Sequence, residues 1–165
     1  GYTVEGYASI LEMIRSALPD AAVTSDLIVG FPGETLKDFQ ASLEVVERFR
    51  FDLIHTAAFS PRDGTPAAHM DAQVGAAEKR RRLGKINEIQ AEISREINRD
   101  HLGKTFTVLV DGSAPKGEGL LQGRIPSDKV VIFPGEATSM GSFVKVRITG
   151  AGNWHLIGEQ LPGRQ

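Results

Sequence analysis

The 165 residues contain no cysteine. That removes disulfides, a thiolate nucleophile, cysteine-based zinc sites and ligation of an iron–sulfur cluster by this chain. Histidine is scarce: His55, His69, His101 and His155, no two of them three to five residues apart. No local metal pair exists, and each reads as an isolated side chain. No apolar run approaches the ~20 residues of a membrane helix. The opening GYTVEGYASI lacks the basic-then-apolar order of a signal peptide. A cytoplasmic location without a membrane partner is the expectation. Charge of one sign is also lacking: 19 Lys and Arg meet 21 Asp and Glu, net -2. A wholly basic nucleic-acid binder is excluded; a local basic face is not. The sequence does not open on Met, which points to a fragment of a longer chain.

What is present is globular in composition, 41% hydrophobic and 24% charged, enough for one ordinary domain or two small ones. Tyr7, Ile10, Leu11, Ile14 and Leu18 fall at helical spacing, and Pro19 stops a helix over 4–18. In AVTSDLIVGF, residues 22–31, Leu27, Ile28 and Val29 form a continuous apolar run, suited to a strand buried on both faces in a parallel sheet. Thr35 and Asp38 make a capping box for a helix whose stripe is Leu36, Phe39, Leu43 and Val46. A second strand covers FDLIHTAAF, 51–59. Helix, strand, helix, strand implies right-handed parallel crossovers. Two strands are too few for a closed sheet, so any further strands lie upstream of Gly1 or come from elsewhere. After a Pro- and Gly-rich loop over 60–70, Leu83, Ile86, Ile89, Ile93 and Ile97 line a long helix over 76–100.

Beyond Leu102 the texture changes. Short strands over 104–110, 119–124, 128–133, 142–149 and 154–160 alternate with Gly, Pro, Ser and Asp. Five strands in so short a span predict a small barrel of OB-like type. The fold class is therefore α/β plus all-β, divided into 1–101 and 102–165. Residues 1–101 carry net charge -4 and residues 102–165 carry +2.

Four constellations carry possible chemistry. Gly30, Phe31, Pro32, Gly33 and Glu34 end the first strand, where parallel α/β sheets place ligands. Glycines there permit close backbone approach, and the next helix start presents N–H groups to an anion. The alternative is a tight turn without a ligand. Ser60, Pro61 and Arg62 end the next strand on the same rim; Arg62 is either a fork for a carboxylate or phosphate, or a partner of Asp63 or Glu34. Lys79, Arg80, Arg81 and Arg82 wrap a helix start, as a solvated face or as phosphate contacts. In the barrel, Phe143, Lys145 and Arg147 share one strand face while Val144, Val146 and Ile148 turn inward. Arg124 and Lys129 flank neighbouring strands, and Phe133 and Trp154 are either core or stacking groups.

These motifs in this order resemble the radical-SAM methylthiotransferases: SDLIVGFPGET, then FSPRDGTPAA, then INRDHLGKTFTVLVDG, with a closing part similar to TRAM, the small RNA-binding barrel. GRIPSDKVVIFPG is most similar to the MiaB type, which modifies tRNA. The resemblance implies a partial radical-SAM β/α barrel followed by TRAM. It implies addition of a 2-methylthio group to an N6-prenylated adenosine beside the tRNA anticodon, using S-adenosylmethionine and two 4Fe–4S clusters. Both clusters would be held by a missing N-terminal part of the same protein, so this fragment carries no metal ligand and no catalytic residue and is inactive alone. By motif, Gly30 to Glu34 match the loop near S-adenosylmethionine, and Ser60 and Arg62 match an SPR element on the adjacent rim. These are pocket-wall candidates. Arg124 and Lys129 match the TRAM GR and NK elements, with Ser127-Asp128 in place of the usual Thr-Asn. With Lys145 and Arg147 they form the expected contact set for the tRNA anticodon stem-loop. Two alternatives remain: a stand-alone RNA-binding module, and a methylthiotransferase acting on a ribosomal protein.

Overall fold

The computed structural model describes residues 3–162. Contacts divide the chain into two compact units, residues 23–93 and the combination of residues up to 22 with residues from 94 onward. The division falls within the long helix, and the first helix groups with the barrel, whereas the sequence pattern changes at 101/102.

In the first unit, β1 (Thr24–Val29) leads to α2 (Leu36–Phe49) and β2 (Leu53–Ala58); α1 (Val4–Ala17) precedes them in the chain. β1 and β2 pair in parallel, Thr24 opposite Leu53 and Val29 opposite Ala58, as the alternating pattern required. The capping box on α2 forms as read: the Thr35 hydroxyl accepts from the Asp38 amide, and the Asp38 carboxylate accepts from the Thr35 amide. Phe39, Leu43, Val46 and Phe49 are buried, but Leu36, at the first helical position, is 65% exposed. The sheet also departs from the expectation of burial on both faces. Ser25, Leu27 and Val29 share the covered face with Ile54 and Thr56, whereas Asp26, Ile28, His55 and Ala57 lie exposed on the other. Helices within this unit cover one face only.

The long helix α3 (Ala76–Arg99) has a buried stripe that apolar periodicity alone does not reveal. Ile86 and Ile93 are buried, but so are Arg82, Gln90, Ser94 and Asn98, which with Ile86 follow one another at steps of four. Each polar group on this stripe needs a partner to be tolerated. The Gln90 amide donates to the Phe51 carbonyl at 2.9 Å. The Asn98 amide donates to the carbonyl of Gly152 at 2.9 Å. Gly84 lies on the opposite, exposed side, with open space where a side chain would be.

In the second unit, α1 buries Ala8 and Leu11, while Ile10, Ile14 and Leu18 of the expected stripe stay exposed. Thr3 caps its start by accepting from the Gly6 amide at 3.1 Å. The strands β3 (Thr105–Ser113), β4 (Leu120–Arg124), β5 (Val130–Pro134), β6 (Phe143–Ala151) and β7 (Leu156–Gln160) close a barrel in the order β3-β4-β5-β7-β6. All neighbours are antiparallel except β5 and β7. Five closed strands leave no open edge. Val108, Val110, Leu121, Ile125, Val131, Phe133, Val146, Ile148 and Leu156 fill the interior. Register shifts near Gly112 and Gly150 mark bulges that bend the long strands β3 and β6.

Two stability outcomes follow. Gly84→Ala raises unfolding free energy by about 0.5–1 kcal/mol, because Ala loses less chain entropy in a helix interior. Gly123→Ala lowers it by about 1–3 kcal/mol, since the new methyl meets the Leu109 carbonyl and a Val108 methyl. Urea denaturation of the two variants measures both.

Candidate functional site

Two places collect the sequence-predicted residues, one in each unit. The first is the tip of the parallel strand pair. β1 and β2 end side by side: the Phe59 amide donates to the Val29 carbonyl at 2.8 Å. The Phe31 and Phe59 rings meet edge to face at 5.1 Å. Both rim motifs therefore lie together, as their place at parallel strand ends predicted. The loop, however, satisfies its own backbone. The Glu34 carboxylate turns back to accept from the Gly30 amide and, at 3.2 Å, from the Phe31 amide. The Gly33 amide donates to the Ala72 carbonyl at 3.0 Å. Gly30 sits at φ +75, and any side chain there would collide with the Lys79 stem. The glycines serve this turn and this packing, and the α2 N-terminus is closed by its capping box.

Glu34 is itself held by Arg82, whose guanidinium lies 3.0 Å from the carboxylate and donates to the Glu34 carbonyl at 3.1 Å. Arg82 is 5% exposed. Glu78, one turn earlier, accepts from Arg82 at 2.9 Å and from Arg81 at 2.7 and 2.8 Å. Burial works against the Arg82 charge, but hydrogen bonds to Glu78 and Glu34 raise its pKa overall. The guanidinium groups of Arg81 and Arg82 also approach the Phe39 ring. Lys79 donates to the Phe59 carbonyl at 2.8 Å and lies over its ring. Of the four consecutive cations, three have their heads engaged within this unit. Arg82 thus settles one alternative: Glu34 pairs with it and not with Arg62. Ser60, Arg62, Asp63 and the Phe31 ring are among the exposed groups of the rim. The open sheet face below it adds Asp26 and His55, opposite one another in register. Neither stood out in the sequence; only their alternation with Leu27 and Ile54 signalled a shared face.

The second place is the outer barrel wall. Phe143, Lys145 and Arg147 are exposed along β6 and Val146 and Ile148 point inward, as the alternation required. Arg147 pairs with Glu159 across β6 and β7 through its Nε at 2.9 Å. Lys145 donates to the Thr107 hydroxyl at 2.8 Å. Arg124 donates to the Asp128 carboxylate and carbonyl, both at 3.0 Å, and lies 3.4 Å from Asp111. Lys129 is half-buried. Asp128 stands at φ +61, a left-handed conformation that Asp and Asn tolerate better than most residues. Phe133 is fully buried core, which resolves its two readings; Trp154 is 53% exposed. The sequence placed Phe143 beside the cations without singling it out, and it is the ring that stays most exposed on this wall.

Among the described residues, no cluster of three or more metal-ligating side chains occurs, and no helix is long and apolar enough to cross a membrane. The barrel, with the end of α3, matches the TRAM domain model over residues 99–161. The chain carries a TRAM domain. Similarity extends well beyond TRAM. The chain is 43% identical over 159 residues to the tRNA-2-methylthio-N(6)-dimethylallyladenosine synthase of Natranaerobius thermophilus, covering 96% of the chain and 35% of that protein. The synthase of Pelotomaculum thermopropionicum is 42% identical over 158 residues, with the same coverage of 96% and 35%. That of Moorella thermoacetica is 42% identical over 163 residues, covering 99% of the chain and 37% of the protein. The chain therefore spans roughly a third of the length of the curated relatives it matches.

The Arg82 cluster yields two outcomes. Arg82→Ala leaves the largely covered Glu34 carboxylate without its counter-ion and lowers stability by about 3 kcal/mol in urea denaturation. Hydrogen bonds from Arg81 and Arg82 hold the Glu78 carboxyl at about 2, below its ordinary 4.5. A depressed carboxylate stabilises the fold above its unfolded value and loses that contribution as pH falls through its folded value. The stability gap between wild type and Glu78→Gln is therefore widest above pH 4.5 and closes toward pH 2, as thermal melts across that range would record.

Proposed function

We propose that this chain is the TRAM-bearing part of a tRNA methylthiotransferase, which adds a 2-methylthio group to an N6-prenylated adenosine near the anticodon. The observation carrying this reading is similarity to named synthases along 96% of the chain, rim motifs included. Similarity confined to TRAM would have favoured the stand-alone RNA-binding module. Nothing in it favours the ribosomal-protein substrate.

The iron–sulfur clusters do not fit this chain. It has no thiolate to hold iron, so the clusters belong to the remaining two thirds of such an enzyme. S-adenosylmethionine fits only as a neighbour. The amides of Gly30, Phe31 and Gly33 are already occupied by Glu34 and Ala72, so the backbone is not its cradle. The groups left to face it are the Phe31 ring, the Ser60 hydroxyl and the Arg62 guanidinium. Pro32 and Glu34 hold the turn that presents them. The exposed sheet face with Asp26, Ile28, His55 and Ala57 would line the interior of the larger barrel.

The TRAM barrel is assigned to the tRNA anticodon stem-loop. Arg124, Lys129, Lys145 and Arg147 supply the cations for its phosphates. Their charge makes binding salt-dependent, each phosphate contact adding about -0.7 to the log–log slope for single strands and about -0.9 for duplexes. A Lys145→Ala/Arg147→Ala double variant binds an anticodon stem-loop more weakly and with a shallower slope. Asp128→Asn keeps the left-handed turn, removes one carboxylate from Arg124, and tightens binding at low salt. Fluorescence anisotropy across a salt series tests both; a flat wild-type slope removes the assignment. The purified chain is expected to hold no iron and to show no turnover, which metal analysis and nucleoside mass spectrometry would check.

A further inference from the structure

We propose that Phe143 is a base-stacking site for an unpaired nucleotide, set in a strip that runs across three adjacent strands of the TRAM barrel. The inference rests on the reading of the barrel as an RNA-binding surface and names the residue that would hold a base there. Phe143 opens β6 and is 71% exposed, the most exposed large apolar side chain described. It contributes little to the core, which Val146 and Ile148 fill from the same strand. Its direct partner on β3 is Leu109, also exposed at 40%. Leu109 in turn lies opposite Arg124 on β4, whose side chain is 46% exposed.

Side chains directly opposite in a sheet stand about 5 Å apart, so ring, aliphatic group and guanidinium occupy a strip about 10 Å long. Lys145 projects from the same face two residues beyond Phe143, its ammonium steadied by Thr107. An aromatic platform flanked by cations on a barrel wall fits a base on the ring and phosphates on either side. Lys145, which bonds a neutral hydroxyl, and Arg124, shared with Asp111 and Asp128, place cations on both sides of the ring where a polyanion's phosphates would lie. The barrel is closed, so no edge is open for strand addition. Stacking on Phe143 requires an unpaired base, which a loop offers and a duplex does not.

The test uses the full 165-residue chain with two probes, a twelve-nucleotide adenosine-rich RNA strand and the same strand annealed to its complement. Phe143→Ala should weaken single-strand binding by about five- to one-hundred-fold. Its log–log salt slope should stay unchanged, because no phosphate contact is lost. Phe143→Leu should behave like Phe143→Ala, and Phe143→Tyr like wild type. Duplex binding should move by less than about two-fold. High exposure predicts unchanged melting of all three variants, and Phe143→Trp in a Trp154→Phe background adds a direct readout, quenched emission on binding the single strand. Wild-type salt-dependent binding with Phe143→Ala equal to it overturns the stacking site and leaves the barrel's role standing. Absence of RNA binding by wild type at any salt overturns both. Loss of concentration-dependent self-association in Phe143→Ala, with RNA affinity intact, assigns the strip to contact between copies and overturns the proposal.

Discussion

A guanidinium withdrawn from water is the constraint around which the strand-tip region is organised. Arg82 is buried to 5% exposure and persists there because Glu34 and Glu78 meet it from two sides. An unpaired charge in that position would cost several kcal/mol. Glu34, fixed in this way, is free to bend back onto the Gly30 and Phe31 amides and close the strand end. The loop's conformation is thus set by a side chain more than forty residues later in sequence, and a rim that looks glycine-rich and open is internally saturated. What it presents outward is side chain, not backbone.

That distinction explains which parts were legible in the sequence. Element identity was: among the described residues, the 3.6 and 2.0 periodicities placed the three α-helices and seven strands within a few residues, though not the short 3-10 turns Pro66–His69 and Ala137–Ser139. The capping box was legible because both partners lie within one helical turn. The inward and outward faces of β6 were legible because a strand's period is fixed. The buried polar stripe of α3 was not. Arg82 belonged to a run read as a solvated face or phosphate contacts, and Gln90, Ser94 and Asn98 gave no burial signal, since hydropathy records transfer from water and not the carbonyls and carboxylates that await them after folding. Gln90 is buried for the Phe51 carbonyl and Asn98 for the Gly152 carbonyl. Both are contacts across long stretches of chain.

The exposed face of the β1–β2 pair failed in the opposite direction. Leu27, Ile28 and Val29 form an apolar run of the kind that both-face burial produces, yet Ile28 is 61% exposed and His55 and Asp26 are open beside it. An apolar run records the surroundings under which a strand was selected. Cover for this face from further protein would account for the run, and similarity to proteins about three times as long agrees with that. The same sequence that mispredicted the isolated sheet is therefore consistent with a strand from a larger one.

On the barrel, charge is arranged with restraint. Arg124 faces Asp128 and Asp111, and Arg147 faces Glu159. Such exposed pairs are worth about 0–1 kcal/mol each, so a phosphate arriving there would displace a carboxylate at little cost but gain correspondingly little beyond it. Affinity drawn from these cations is modest and salt-sensitive, and it cannot by itself choose one RNA from another, because every RNA has the same backbone. Discrimination has to come from contacts that depend on shape or on an unpaired base. Under the proposed function, weak phosphate contacts backed by a local stacking group would orient an RNA substrate without retaining the product.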